Sequence, residues 1–133
     1  MNDQEIVGLL SSAKTIAVVG LSDNPDRSSF GIARFLQNKG YRIIPVNPVV
    51  ESVLGEKSYA SLTDIPEKVD IVDVFRRSEF VPEIAGQAIA IGAKALWMQL
   101  GIVNEEAAQK ARDAGLIVVM DHCIGVEHRR LIR

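Results

Sequence analysis

Five short runs of mostly apolar residues, each closed by small or polar residues, recur along the chain: Ile16-Ala17-Val18-Val19, Arg42-Ile43-Ile44-Pro45-Val46, Ile71-Val72-Asp73-Val74-Phe75, Ala95-Leu96-Trp97-Met98 and Leu116-Ile117-Val118-Val119-Met120. A strand with one wet face alternates apolar and polar residues, whereas a strand covered on both faces reads as one apolar run. These runs are of the second kind, and they demand a layer on each side of the sheet they form.

The segments between them supply those layers. Asn104 to Gly115 predicts a helix: Asn104 caps, Glu105 and Glu106 suit the positive end of the dipole, and Gly115 suits the left-handed exit. A second helix is predicted from about Ser29 to Lys39, stopping at Gly40. A third runs from about Pro82 to Ile91 and stops at Gly92, its proline in the first turn where a missing N–H does no harm. An opening helix covers about Gln4 to Ala13, a short one is expected near Leu62 to Ile65, and Glu127 to Leu131 reads as a solvated or interface-forming helical end. Strand and helix thus alternate as in an α/β fold. The expected architecture is a Rossmann-type doubly wound parallel sheet of five strands, order 3-2-1-4-5, with helices on both faces and right-handed crossovers.

At 133 residues, 47% of them hydrophobic, the chain can bury one continuous core, so a single domain over 1–133 is expected. The net charge of -2 comes from well-mixed acids and bases, which gives no attraction to nucleic acid or an anionic membrane. No apolar run approaches the roughly 20 residues of a membrane span. The start Met1-Asn2-Asp3-Gln4-Glu5 has no basic-then-apolar leader, and a cytoplasmic protein is expected. Cys123 is the single cysteine, which excludes an internal disulfide and a multi-thiolate zinc site and fits a reducing compartment.

Ligands of open parallel sheets bind beyond the carboxyl ends of the strands, near the point where strand order reverses. After the first strand comes Gly20-Leu21-Ser22 and then Arg27-Ser28-Ser29. Gly20 permits a close backbone approach, the serines offer hydroxyls, Arg27 offers a planar guanidinium, and the next helix directs its unpaired N–H groups there. The loop fits a bound phosphate; it fits equally a strand end followed by a serine cap. It is not the G-x-G-x-x-G dinucleotide fingerprint, and the second strand ends in Val46-Asn47-Pro48 where a nicotinamide site wants a carboxylate for the ribose. NAD is therefore disfavoured, and the absence of a Walker loop disfavours ATP hydrolysis of that type.

Arg76 and Arg77 follow the third strand, and the alternation of an extended chain lets one of them face the crevice. With Arg27 this places two cations in a chain of net negative charge, which suits a ligand with several phosphates. Gln99, amid Trp97-Met98-Gln99-Leu100-Gly101, is either a core amide or a partner for an amide-bearing ligand arm. Neighbouring Asp121, His122 and Cys123 point to alternate sides and cannot act as a nucleophile triad. A metal site of His122, Cys123, Glu127 and His128 lacks a known zinc spacing, so no catalytic or metal residues are assigned.

Taken in order, Val19-Gly20-Leu21-Ser22, Val46-Asn47-Pro48, Asp73-Val74-Phe75-Arg76-Arg77, Trp97-Met98-Gln99-Leu100-Gly101 and Met120-Asp121-His122-Cys123 resemble the small single-domain CoA-binding proteins. These are similar to the N-terminal domain of the succinyl-CoA synthetase alpha subunit. The resemblance implies a coenzyme A or acyl-CoA site in which Gly20, Leu21, Ser22, Arg27 and Ser28 hold phosphate. Asn47 and Pro48 would lie by the nucleotide, Phe75 and Arg76 would flank it, and Met98 and Gln99 would meet the pantetheine arm. It implies a noncatalytic binding or regulatory module, with a protein partner left open. His122 stands where the family often has arginine, which removes a constant positive charge there. The alternative is a redox or acyl-carrying enzyme that uses Cys123 against the CoA thiol.

Overall fold

The computed structural model describes residues 2–132. All five apolar runs become strands: β1 (Thr15–Val19), β2 (Arg42–Val46), β5 (Ile71–Val74), β6 (Ala95–Met98) and β7 (Ile117–Val119). Between β2 and β5 stands a two-stranded hairpin, β3 (Ser52–Val53) and β4 (Glu56–Lys57), followed by a 3₁₀ turn at Leu62–Asp64. The helices are α1 (Asp3–Ser12), α2 (Ser28–Asn38), α3 (Val81–Ala90), α4 (Glu105–Asp113) and α5 (Ile124–Leu131). Asn104 caps α4 as expected, its Oδ1 accepting the Ala107 N–H at 2.9 Å.

The main sheet runs β2-β1-β5-β6-β7 with every neighbouring pair parallel. Beyond β2 the backbone at Tyr59 adds a parallel bridge to Val46: the Tyr59 N–H donates to the Pro45 carbonyl at 3.0 Å and the Asn47 N–H to the Tyr59 carbonyl at 2.9 Å. With that edge segment counted third, the expected order 3-2-1-4-5 holds and β7 follows as a sixth strand. The correction concerns Ile71-Phe75, expected third and beyond β2. It lies against β1 instead, because the irregular β2 to β5 connection lays down the edge segment before it crosses back. Phe75 itself has left the strand.

Alternation along each strand divides the core in two. Ala17, Val19, Ile44, Val72, Val74, Leu96 and Met98 pack with α3 and α4; Ile16, Val18, Ile43, Trp97 and Val119 pack with α1, α2 and α5. Helices thus cover both faces, as the apolar runs require. The C-terminal segment is a correction: Glu127 and His128 are buried rather than part of a solvated end. Arg130 joins Glu127 to Asp3 of α1, and His128 sits edge-on to Phe35 and Tyr41 with both ring centroids at 5.6 Å.

Candidate functional site

Strand order reverses at β1, whose onward chain goes to β2 on one side while β5 flanks it on the other. The crevice therefore opens where Gly20 and Phe75 leave the sheet. Gly20 has φ +87°, and a Cβ there would stand 2.7 Å from the Phe75 carbonyl oxygen and 3.0 Å from Arg76 Cδ. Only glycine lets the β1 turn lie this close to the end of β5.

The loop after Gly20 is braced by its own polar groups. The Ser22 N–H donates to Ser29 Oγ at 3.1 Å, the Asn24 N–H to Ser22 Oγ at 3.0 Å, and the Asp26 N–H to Asn24 Oδ1 at 2.9 Å. Ser29 thus ties the loop down, and α2 opens without a side-chain cap. Its first-turn N–H groups have no acceptor within the helix and face the loop mouth. Asn47 completes the brace: its Nδ2 donates to the Leu21 carbonyl at 3.0 Å and its Oδ1 accepts the Val49 N–H at 3.0 Å.

Three depressions meet along the crevice. One of about 330 Å³ is lined by Gly20, Ser22, Arg27, Ser28, Ser29 and Phe75. A second, about 350 Å³, holds Gly20, Asn47, Pro48 and Arg76. The largest, about 700 Å³, shares Ser28, Phe75 and Arg76 with these and continues past Gln99 to Cys123. Nine of the predicted site residues, Gly20, Ser22, Arg27, Ser28, Asn47, Pro48, Phe75, Arg76 and Gln99, therefore line this crevice. Leu21 and Met98 do not: both side chains are wholly buried in the cores.

Sequence reasoning left out Ile32, Leu100, Ile102 and Val126 as wall residues of the largest groove, and brought in Arg77 only as the alternative to Arg76 and Cys123 only in the enzyme reading. Ile32 stands one turn after Ser28 on α2, a spacing that signals a shared face. Val126 carries no signal of its own, since its place follows from how α5 packs.

The cations differ in their surroundings. The Arg76 guanidinium lies 4.4 Å over the Phe80 ring, while Arg77 is largely exposed with Glu79 at 3.7 Å. Gln99 is only 4% exposed; its Oε1 accepts the Ile124 N–H at 3.0 Å, which leaves its Nε2 donor toward the groove. Asp121, His122 and Cys123 serve separate partners: Asp121 Oδ1 accepts the Gly101 N–H, His122 Nδ1 stands 3.6 Å from Glu127 Oε1, and Cys123 borders the groove. No group of three or more His, Cys, Asp and Glu among the described residues could hold a metal ion.

Beneath the crevice, Asp73 sits in β5 between Val18 and Trp97, fully buried, and neither carboxylate oxygen has a partner among the described residues. Burial pushes its pKa well above the usual carboxylate range.

No helix among the described residues is long and apolar enough to cross a membrane. The chain is similar to the uncharacterized protein YneT of Bacillus subtilis, 48% identical over 124 residues that cover 93% of this chain and 92% of that one. It is 31% identical over 100 residues to the ADP-forming acetate–CoA ligase II of Archaeoglobus fulgidus, covering 74% of this chain but 15% of the ligase. Among solved structures, a hypothetical protein from Pyrococcus horikoshii OT3 superposes with a TM-score of 0.97 at 42% identity, covering 100% of this chain and 94% of the other. The structure of cell-free ID.343 from Thermus thermophilus gives 0.95 at 42% identity, covering 99% and 100%. The CoA binding domain family matches residues 14–129, nearly the whole length, and the chain belongs to that family.

Proposed function

We propose that this chain binds coenzyme A along the crevice as a noncatalytic binding or regulatory module. The observation that carries the reading is the continuity of the three depressions, which join an anion-suited loop at Gly20 to Ser29 with a longer, largely apolar groove ending at Cys123. A nucleotide with several phosphates on a flexible amide-bearing arm has that distribution of charge and length. In this reading Ser22, Arg27, Ser28 and the α2 N-terminus take phosphate, Asn47 and Pro48 border the nucleotide, Phe75 and Arg76 flank it, and the arm passes Gln99. Leu21 contributes through its backbone, whose carbonyl is fixed by Asn47. The similarity to a ligase named for its use of CoA supports the same ligand.

The noncatalytic part rests on how these strand-end side chains are spent: Asp121 is turned to the Gly101 N–H and His122 to Glu127, so Asp121, His122 and Cys123 do not converge as orienting acid, base and nucleophile. Calorimetry tests the proposal. CoA is expected to bind at one site per chain; no heat with CoA alongside clear binding of NAD or ATP would overturn it. A second reading is favoured by Cys123 on the groove wall, where its thiolate would displace CoA from CoA disulfide to leave a protein–CoA mixed disulfide. Intact mass after incubation with CoA disulfide shows that adduct or rejects the reading.

A further inference from the structure

We propose that the groove between α2 and α5 takes the aliphatic acyl chain of an acyl-CoA, with Gln99 Nε2 donating to the thioester carbonyl. This rests on the reading of the crevice as a CoA site and names the acyl class that site prefers.

Past Cys123 the largest groove runs into a further one of about 290 Å³, with which it shares Ser28, Ile32, Cys123 and Val126. Phe35 walls this second groove, and Gly31 and Gly125 border it. Both glycines lie inside helices, where glycine weakens the helix relative to alanine. Neither adopts a left-handed conformation, so no turn requires them. Packing does not require Gly31 either, since a Cβ there would meet nothing within 4 Å. What its missing side chain preserves is open groove. A Cβ at Gly125 would meet Ile32 Cγ2 at 3.6 Å and Cys123 Sγ at 3.8 Å, side chains that border both grooves.

The lining suits an aliphatic chain. Ile32, Phe35 and Val126 are apolar, and the cation at the outer edge, Arg129, lies 5.0 Å over the Phe35 ring. Val126 is 56% exposed, an apolar side chain that a bound chain would cover.

Gln99 supplies the independent polar observation. It is 4% exposed, and because its Oε1 is taken by the Ile124 N–H, its amide orientation is set. Gln99 borders the groove beside Cys123, and with Oε1 engaged its Nε2 is the amide atom left to meet a ligand there. A thioester brings a carbonyl acceptor at the end of the pantetheine arm, where free CoA brings only a thiol, a weak acceptor.

Calorimetric titration of the full chain with CoA and with octanoyl-CoA, for the wild type and two variants, tests this. The wild type is expected to bind octanoyl-CoA about tenfold tighter than CoA, the return on burying roughly two methylenes. Gly31→Leu fills the groove from α2 and is expected to abolish that preference while leaving CoA affinity unchanged. Gln99→Glu keeps the acceptor for Ile124 and removes the donor, and is expected to weaken octanoyl-CoA more than CoA. Equal affinity of the wild type for the two ligands overturns the acyl assignment and leaves the CoA reading standing. A preference that survives Gly31→Leu, or equal losses in Gln99→Glu, overturns it likewise. Failure of both ligands to bind the wild type removes the CoA reading and the acyl assignment with it.

Discussion

Gly20 and Phe75 approach so closely that a Cβ on the first would lie 2.7 Å from the carbonyl oxygen of the second. The neighbour is backbone in a core strand end and cannot turn aside, and φ +87° is itself unfavourable for any L side chain. Gly20→Ala is therefore expected to cost about 1–3 kcal/mol of stability, the range for a residue held in a sparsely populated conformation. The same shift displaces the braced loop, so CoA affinity should fall about tenfold or more, at least 1.4 kcal/mol. Urea midpoints and calorimetry on the one variant check both; wild-type values in either would reject the account.

Arg76 borders two of the three depressions, the exception being the one walled by Arg27, whereas Arg77 borders only the largest and is mostly exposed, with Glu79 at 3.7 Å. A hydrogen bond from a charged donor is worth about 1.5–3 kcal/mol. Arg76→Ala is expected to weaken CoA by about ten- to a hundredfold on that basis, and Arg77→Ala by far less. If Arg76 holds the 3′-phosphate, its loss hardly affects dephospho-CoA; equal losses for the two ligands assign it to the pyrophosphate instead.

The strands were legible because a short run that is apolar throughout, bounded by turn residues, suits a strand covered on both faces. Helix ends were legible because Asn104, Gly40, Gly92 and Gly115 each meet a defined backbone need. The β3–β4 hairpin was hidden: its turn is Leu54-Gly55, both with positive φ, where Asn-Gly is the usual signal. The place of β5 beside β1 depends on a short edge contact at Tyr59 that no local pattern announces. Glu127 and His128 looked solvated because their burial depends on Arg130, Phe35 and Tyr41, distant or across the helix. Strand-end residues of the site could be read by the sheet rule, which fails for Leu21 and Met98 because their side chains turn into the cores. The α5 wall follows from tertiary packing alone, and on α2 the one local signal is the spacing of Ile32 from Ser28.

Asp73 makes stability depend on pH in one direction. Its folded pKa is raised by burial above the ordinary 3.8, so the neutral acid's stability is fully present below about that pH and is lost as pH rises toward the folded value. Over that window the loss approaches about 1.4 kcal/mol per pH unit. Asp73→Asn cannot ionise, and its denaturation midpoint is expected to gain on the wild type steadily from pH 4 upward. Parallel midpoints over that range would show that Asp73 keeps an ordinary pKa.

His128 acts with the opposite sign. Burial first, and then the nearby Lys39 cation, lower its pKa from 6.5, and its Nδ1 has no partner among the described residues, so the ring is neutral between Phe35 and Tyr41. A base with a lowered folded pKa leaves the unfolded chain binding the extra proton. Stability is therefore whole above about pH 6.5 and falls as the solution is acidified toward the folded value, by up to about 1.4 kcal/mol per unit. His128→Leu removes the titration and keeps an apolar group in the gap. Its unfolding midpoint relative to wild type is expected to rise as pH drops from 7 to 5, and a constant difference over that interval would mean that the buried imidazole is protonated as readily in the fold as out of it.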